Sequence, residues 1–271
     1  NPIAGTTWVY DRMVFRATGD VPQLPDPYTG LYHPQRVTHA EVTVEEGIPV
    51  TQSLDWVTLN FAPSIEVPPD AWIGWDPEGQ GFITVGQQHP EGLTTKTRSV
   101  IHFDPRISEM RWHDGTPMTM ADMLFPFLIY LDRGTEGSPI FDEAFGPEFD
   151  TFLGHFRGLR IVGEDPIVLE VSSERPYLDV EWIATARTGA PYVFPWHSLA
   201  AAPWHTLALG ILAEQDKQLA FSSAKADKLE VEWLNLVAGP SLELPEARRA
   251  RGLEARFLPY EKEMAHYVGA G

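Results

Sequence analysis

Arg111-Trp112-His113-Asp114-Gly115-Thr116-Pro117-Met118-Thr119-Met120-Ala121-Asp122-Met123-Leu124-Phe125 is the stretch on which the reading of this chain turns. Its period changes in the middle. Just before it, Ser99-Val100-Ile101-His102-Phe103 has strand character, whereas Met120, Met123, Leu124, Phe127, Leu128 and Leu131 fall on one apolar helical stripe. Asp114-Gly115 reads as a turn, and Thr116-Pro117 holds the chain extended. Thr119, with Asp122 three residues on, has the spacing of a capping box, and the Asp122 carboxylate faces the positive end of the helix dipole. Pro126 lies inside the stripe and predicts a kink, because proline removes one helical hydrogen bond. Trp112, His113, Asp114, Gly115, Thr116, Pro117, Thr119 and Asp122 are therefore read as structural. Asp122→Ala is expected to cost roughly 1 kcal/mol, with no specific effect on ligand affinity.

Upstream of this stretch, residues 1–110 are strand-like. The best segments are 37–44, 56–61, 82–85 and 99–103, separated by breakers such as Pro68-Pro69-Asp70 and Asp76-Pro77-Glu78-Gly79. Residues 55–97 read as a long loop-rich stretch carrying Trp72-Ile73-Gly74-Trp75-Asp76. Downstream, 158–162 and 167–171 flank Gly163-Glu164-Asp165-Pro166 and predict a hairpin with a four-residue turn. From Ala200 the period is helical, with helices expected near 204–213, 224–237 and 241–257. The expected class is mixed α/β: a β-rich part with a mixed sheet over 1–200, then a mostly helical portion over 201–271.

Twenty basic against 38 acidic side chains give a formal charge of −18 in 271 residues. A nucleic-acid partner needs a basic face, and Arg248, Arg249 and Arg251 are the only basic cluster, so that class is excluded. Hydrophobic residues at 43% and charged ones at 21% are globular proportions, while 22 glycines and 24 prolines spread along the chain rule out a helical bundle. No apolar run approaches the roughly 20 residues that span a bilayer. Without cysteine there are no disulfides, thiol nucleophiles or thiolate metal ligands. The start, Asn1-Pro2-Ile3-Ala4-Gly5, lacks an initiator Met and a leader pattern, as expected of a processed or excised product.

Catalytic motifs are absent. Nine histidines include no HExxH pair and none three or four apart, and His197 and His205 share a face only if one helix runs through Pro203, so no metal site and no cofactor is expected. Among 38 carboxylates, neighbours such as Glu45-Glu46, Asp142-Glu143 and Glu261 with Glu263 arise by chance, and there is no G-x-S-x-G elbow or phosphate loop. Most of the nine tryptophans are expected to be packing residues.

The segment Trp112-His113-Asp114-Gly115-Thr116-Pro117, followed by Thr119 and Asp122, resembles the signature of the family 5 extracytoplasmic solute-binding proteins, the peptide and nickel receptors of ABC importers. The order around it agrees: a strand ending Ile101-His102-Phe103-Asp104, a helix, the 158–171 hairpin, then Pro191-Tyr192-Val193-Phe194-Pro195-Trp196-His197, where tryptophan stands at the family's usual lysine. The resemblance covers about 96–200. It implies a partial periplasmic-binding-protein-like type II fold and a non-enzymatic, extracytoplasmic binder of peptide-like or other small solutes. It also implies an ABC permease as partner, membrane attachment only through a lipid anchor outside this chain, and a further lobe absent from it. Because two lobes of such a receptor close on the solute, this chain alone is expected to bind small molecules only weakly. The signature is structural and assigns no ligand-binding residue. Two other readings stay open: an extracellular hydrolase domain using a pair among Asp76, Glu78, Asp114 and Glu164, and a non-catalytic cell-surface interaction domain.

Overall fold

The computed structural model describes residues 21–112, 115, 117–185 and 204–233. In chain order its strands are β1 (Gln23–Pro25), β2 (Tyr32–Pro34), β3 (Val37–Glu45), β4 (Val57–Ala62), β5 (Ile65–Glu66), β6 (Trp72–Asp76), β7 (Gly81–Thr84), β8 (Thr94–Thr95), β9 (Thr97–Phe103), β10 (Phe156–Glu164), β11 (Ile167–Ser173), β12 (Leu219–Ala220) and β13 (Glu232–Trp233). The helices are α1 (Val85–Gln88), α2 (Met120–Gly134), α3 (Gly146–Leu153), α4 (Val180–Ile183), α5 (Trp204–Gln215) and α6 (Ser223–Leu229). Seven strands form one sheet in the order β4-β3-β9-β11-β10-β6-β7. Within it β3 and β4 run parallel, while every other neighbouring pair is antiparallel. The class is thus mixed α/β with a large mixed sheet.

Alternation sets the two faces of that sheet. On β3, Ala40, Val42 and Val44 point into the core while His39 and Glu41 point out; on β9, Ser99, Ile101 and Phe103 are buried. Strand β11 lies at the centre of the sheet and is buried from Val168 to Ser173 on both faces. Its one charged residue, Glu170, is accordingly met from both neighbouring strands, by Arg160 at 3.1 Å and Arg98 at 3.9 Å.

Helix α2 covers the inner face. The six-residue stripe seen in the sequence understates its burial, since every residue from Met120 to Arg133 is buried. Such a helix is a core element rather than a half-wet surface one. Phe127 meets Phe82 of β7 and Phe156 of β10; Tyr130 packs edge-on to Phe145 and Phe152; Phe125 meets Trp204 of α5. The same core takes in Leu207, Ala208 and Ile211 of α5. These contacts explain why the helix runs on through Pro126. An interior proline costs about 3 kcal/mol, whereas each fully buried large side chain contributes about 1.5–3 kcal/mol, and Met123, Leu124, Phe125, Phe127, Leu128 and Leu131 are all fully buried.

Glycine 134 ends this helix against Phe149 of α3, where an added Cβ would sit 2.3 Å from the ring. Helix propensity alone favours alanine there by about 1 kcal/mol, but overpacking costs about 1–3 kcal/mol. Gly134→Ala is therefore expected to lower stability by about 2 kcal/mol in chemical denaturation. A stabilised variant would show that the α2–α3 contact is looser than described.

Three expectations are corrected. Trp72–Asp76, read as part of a loop, is strand β6, paired with β7 and joined to the main sheet through Leu159 opposite Trp72. Trp72 stacks on Phe82 at 4.3 Å, so cross-strand aromatic packing fixes a strand despite Gly74. The hairpin turn has two residues rather than four, because β10 continues to Glu164 and only Asp165-Pro166, joined by a cis bond, turns the chain. The helix expected over 224–237 stops at Leu229, where Glu230 takes a left-handed conformation; Glu232 and Trp233 then pair parallel to Leu219 and Ala220. Where it is described, the C-terminal portion is mostly helical with one short parallel strand pair, and the helix expected over 241–257 lies outside the described residues.

Candidate functional site

The motif forms a closed loop in front of α2. The Gly115 N–H donates to the Trp112 carbonyl at 2.9 Å, the Met118 N–H donates to the Met110 carbonyl at 3.0 Å, and the Arg111 guanidinium reaches the Gly115 carbonyl. Gly115 has φ +87°, a conformation that a side chain would strain, which accounts for glycine at this turn. Thr119 caps α2. Its N–H donates to Asp122 Oδ2 at 2.7 Å and its hydroxyl approaches the same oxygen at 3.0 Å.

The other oxygen of Asp122 has a role that no local spacing shows. Oδ1 accepts from the indole N–H of Trp112 at 3.2 Å and from the backbone N–H of Trp204, in the first described turn of α5, at 2.9 Å. One carboxylate, 2% exposed, thus serves the N-terminal ends of two helices and holds the motif tryptophan between them. The structure brings together Trp112, Thr119 and Asp122 from the expected motif, with Gly115 and Pro117 shaping the loop. His113, Asp114 and Thr116 lie outside the described residues, as does the 191–197 segment. Both oxygens of the Asp122 carboxylate are taken up in tying these segments together.

Of the hydrolase candidates, Asp76 and Glu164 do not converge, and Asp114 lies outside the described residues. Asp76 ends β6 and its Oδ1 accepts the Glu78 N–H at 3.0 Å in the β6–β7 turn. Glu164 ends β10. Because Leu159 faces Trp72 in an antiparallel register, Asp76 and Glu164 lie at opposite ends of the sheet, about 30 Å apart at about 3.3 Å per residue. Two glycosidase carboxylates need about 5–9.5 Å.

Two groups of polar side chains lie outside the motif. At the far end of α2, Arg133 and Asp142 form a buried pair at 2.6 Å, with the Arg133 guanidinium 4.5 Å above the Phe145 ring. Beside them a cleft of about 350 Å³ is lined by Asp142, Glu143, Lys225 and Lys228 among others. Its lysines are already held by the chain's own carboxylates, Lys228 by Glu143 at 2.6 Å and Lys225 by Glu214 at 3.1 Å. Burial pushes the Glu214 carboxyl up from its ordinary value, against the pull of Lys225. This network ties α6 to α5 and to the turn that follows α2.

The second group is on the outer face of the sheet. His39 and Glu41 alternate along β3, and His102 of β9 faces His39 across the ladder, the two imidazoles stacked at 3.9 Å. Each of the three offers one ligand atom, all within 4.8 Å of one another. No spacing within one strand could reveal this group, because two of the ligands meet only through the β3–β9 register. A His-x-Glu alternation on an expected strand was the one available signal.

No family model matches the chain, and no curated protein matches it. Among the described residues, no helix is long and apolar enough to cross a membrane.

Proposed function

We propose that this chain serves in the solute-binding component of an ABC importer, as part of a periplasmic-binding-protein-like type II fold working outside the cytoplasm. The observation that carries this reading is the Trp112 to Asp122 signature in its setting: β9 leads into the motif loop, the loop into the buried helix α2, and α2 into the β10–β11 hairpin, whose second strand pairs back on β9. In this reading the motif stiffens one wall of a cleft, and the solute is peptide-like, held by backbone bonds and side-chain pockets. Lobe closure, rather than chemistry, sets affinity. The permease is the partner that receives the solute, and a lipid anchor supplies any membrane attachment.

The separation of Asp76 from Glu164 favours binding over hydrolysis by that pair. The test is a calorimetric titration of the receptor with pools of di- to hexapeptides and of oligosaccharides, with mass spectrometry of the pools afterwards. Binding of a peptide pool with no product is expected. Cleavage of any pool, or no heat from all of them, would contradict the reading.

A further inference from the structure

The outer-face group deserves a chemical account, because three features of it are those of a metal site. The first is the donor set: two imidazoles and a carboxylate form a common zinc set that leaves further positions open. The second is the backbone. A β-bulge between Val37 and His39 places Thr38 as the extra residue, so that both Thr38 and His39 lie on the exposed side.

The third feature is a set of hydrogen bonds that fixes the ligand atoms. The Thr38 hydroxyl donates to the His102 carbonyl at 3.1 Å, which leaves its oxygen to accept from His39 Nδ1 at 3.2 Å. His39 is thereby held as the Nδ1–H tautomer, and its Nε2 keeps a free lone pair. On His102, Nε2 is buried and makes no hydrogen bond among the described residues, and it stands 3.7 Å from Glu41 Oε1, beyond hydrogen-bond reach.

We infer that His39, His102 and Glu41 bind a divalent transition-metal ion of the zinc class on the outer face of the β3–β9 ladder. Around zinc, bonds of about 2.0–2.1 Å set neighbouring ligand atoms about 3.3 Å apart. Closing from 4.8 Å needs only rotation of side chains, two of which are exposed. Thr38 is a positioning residue, acting through the His39 tautomer. The site is independent of the solute-binding reading, which rests on the motif and α2.

The experiment uses the full chain, stripped with chelator and dialysed, and titrated calorimetrically with zinc chloride alone. One equivalent is expected to bind. His39→Ala and His102→Ala should each weaken it by about 100-fold or more, and Thr38→Val, which frees the tautomer but keeps the shape, by about 10-fold. Circular dichroism checks the fold of each variant, and His102→Gln replaces the alanine variant if the sheet is disturbed. Cobalt(II) gives a second readout, a visible absorption band lost in the His39→Ala/His102→Ala double variant. Absence of one-equivalent binding, or zinc binding undiminished in the double variant, would overturn the assignment.

Discussion

Replacing Asp122 by alanine is expected to destabilise the protein by about 3 kcal/mol, well above the roughly 1 kcal/mol that loss of a helix cap alone costs. The difference lies in what the second oxygen holds. Removing the carboxylate leaves the Thr119 N–H, the Trp112 indole N–H and the Trp204 N–H without their acceptor at a part-buried junction. A hydrogen bond to a charged group contributes about 1.5–3 kcal/mol, so losing three of them leaves a large loss even where water reaches some of the freed donors. Asp122→Asn should fall between the two, since its oxygen can serve Trp112 and Trp204 while its amide faces the Thr119 donor. Urea denaturation of the three proteins is the measurement. A loss near 1 kcal/mol for alanine would mean that the contacts to Trp112 and Trp204 contribute little.

Asp142→Ala should cost about 4 kcal/mol for a different reason. Arg133 and Asp142 are both buried, and truncating one member of such a pair leaves the other charge uncompensated, typically at about 3–5 kcal/mol. Asp142 also caps the short 3-10 turn Glu143–Phe145 by accepting the Ala144 N–H at 3.1 Å. Burial alone would raise the Asp142 carboxyl, but Arg133, Ser222 and the Ala144 N–H outweigh it and hold the group below its ordinary 3.8. Because the folded value is depressed, the contribution is complete above the unfolded value and is lost as pH falls through the folded one. The gap between wild type and Asp142→Ala should therefore be constant near neutrality and shrink in acid below about pH 4. Adding Arg133→Met to Asp142→Ala should recover part of the loss, because the stranded guanidinium is then gone. A double variant worse than the single one would contradict this account.

What the sequence made legible, it made legible through short-range physics. The β-rich run 37–44 marked β3, the switch of period at Met120 marked α2, and Thr119 with Asp122 marked its cap; all three stand in the structure. Where the reading failed, a distant partner decided. Gly74 and the flanking turns made Trp72–Asp76 look like loop, and only Phe82 and Leu159 across the ladder make it a strand. Glu232 and Trp233 left the helical pattern because Leu219 and Ala220 were there to pair with. The same limit hid the site chemistry. His39 and His102 are 63 positions apart and stack only through the β3–β9 register, and Asp122 reaches Trp204 across 82 positions.

The central structural claim is that one buried carboxylate joins the motif loop, α2 and α5 into a single scaffold. Hydrogen exchange of the Trp204 amide and the Trp112 indole, followed by NMR, tests it most directly. In the wild-type protein both protons should exchange as slowly as core amides of α2, opening only with the whole fold, and both should lose that protection together in Asp122→Ala while Asp122→Asn, whose oxygen still serves both donors, keeps most of it. Fast exchange of either proton in the wild type, or protection unchanged in Asp122→Ala, would contradict the claim.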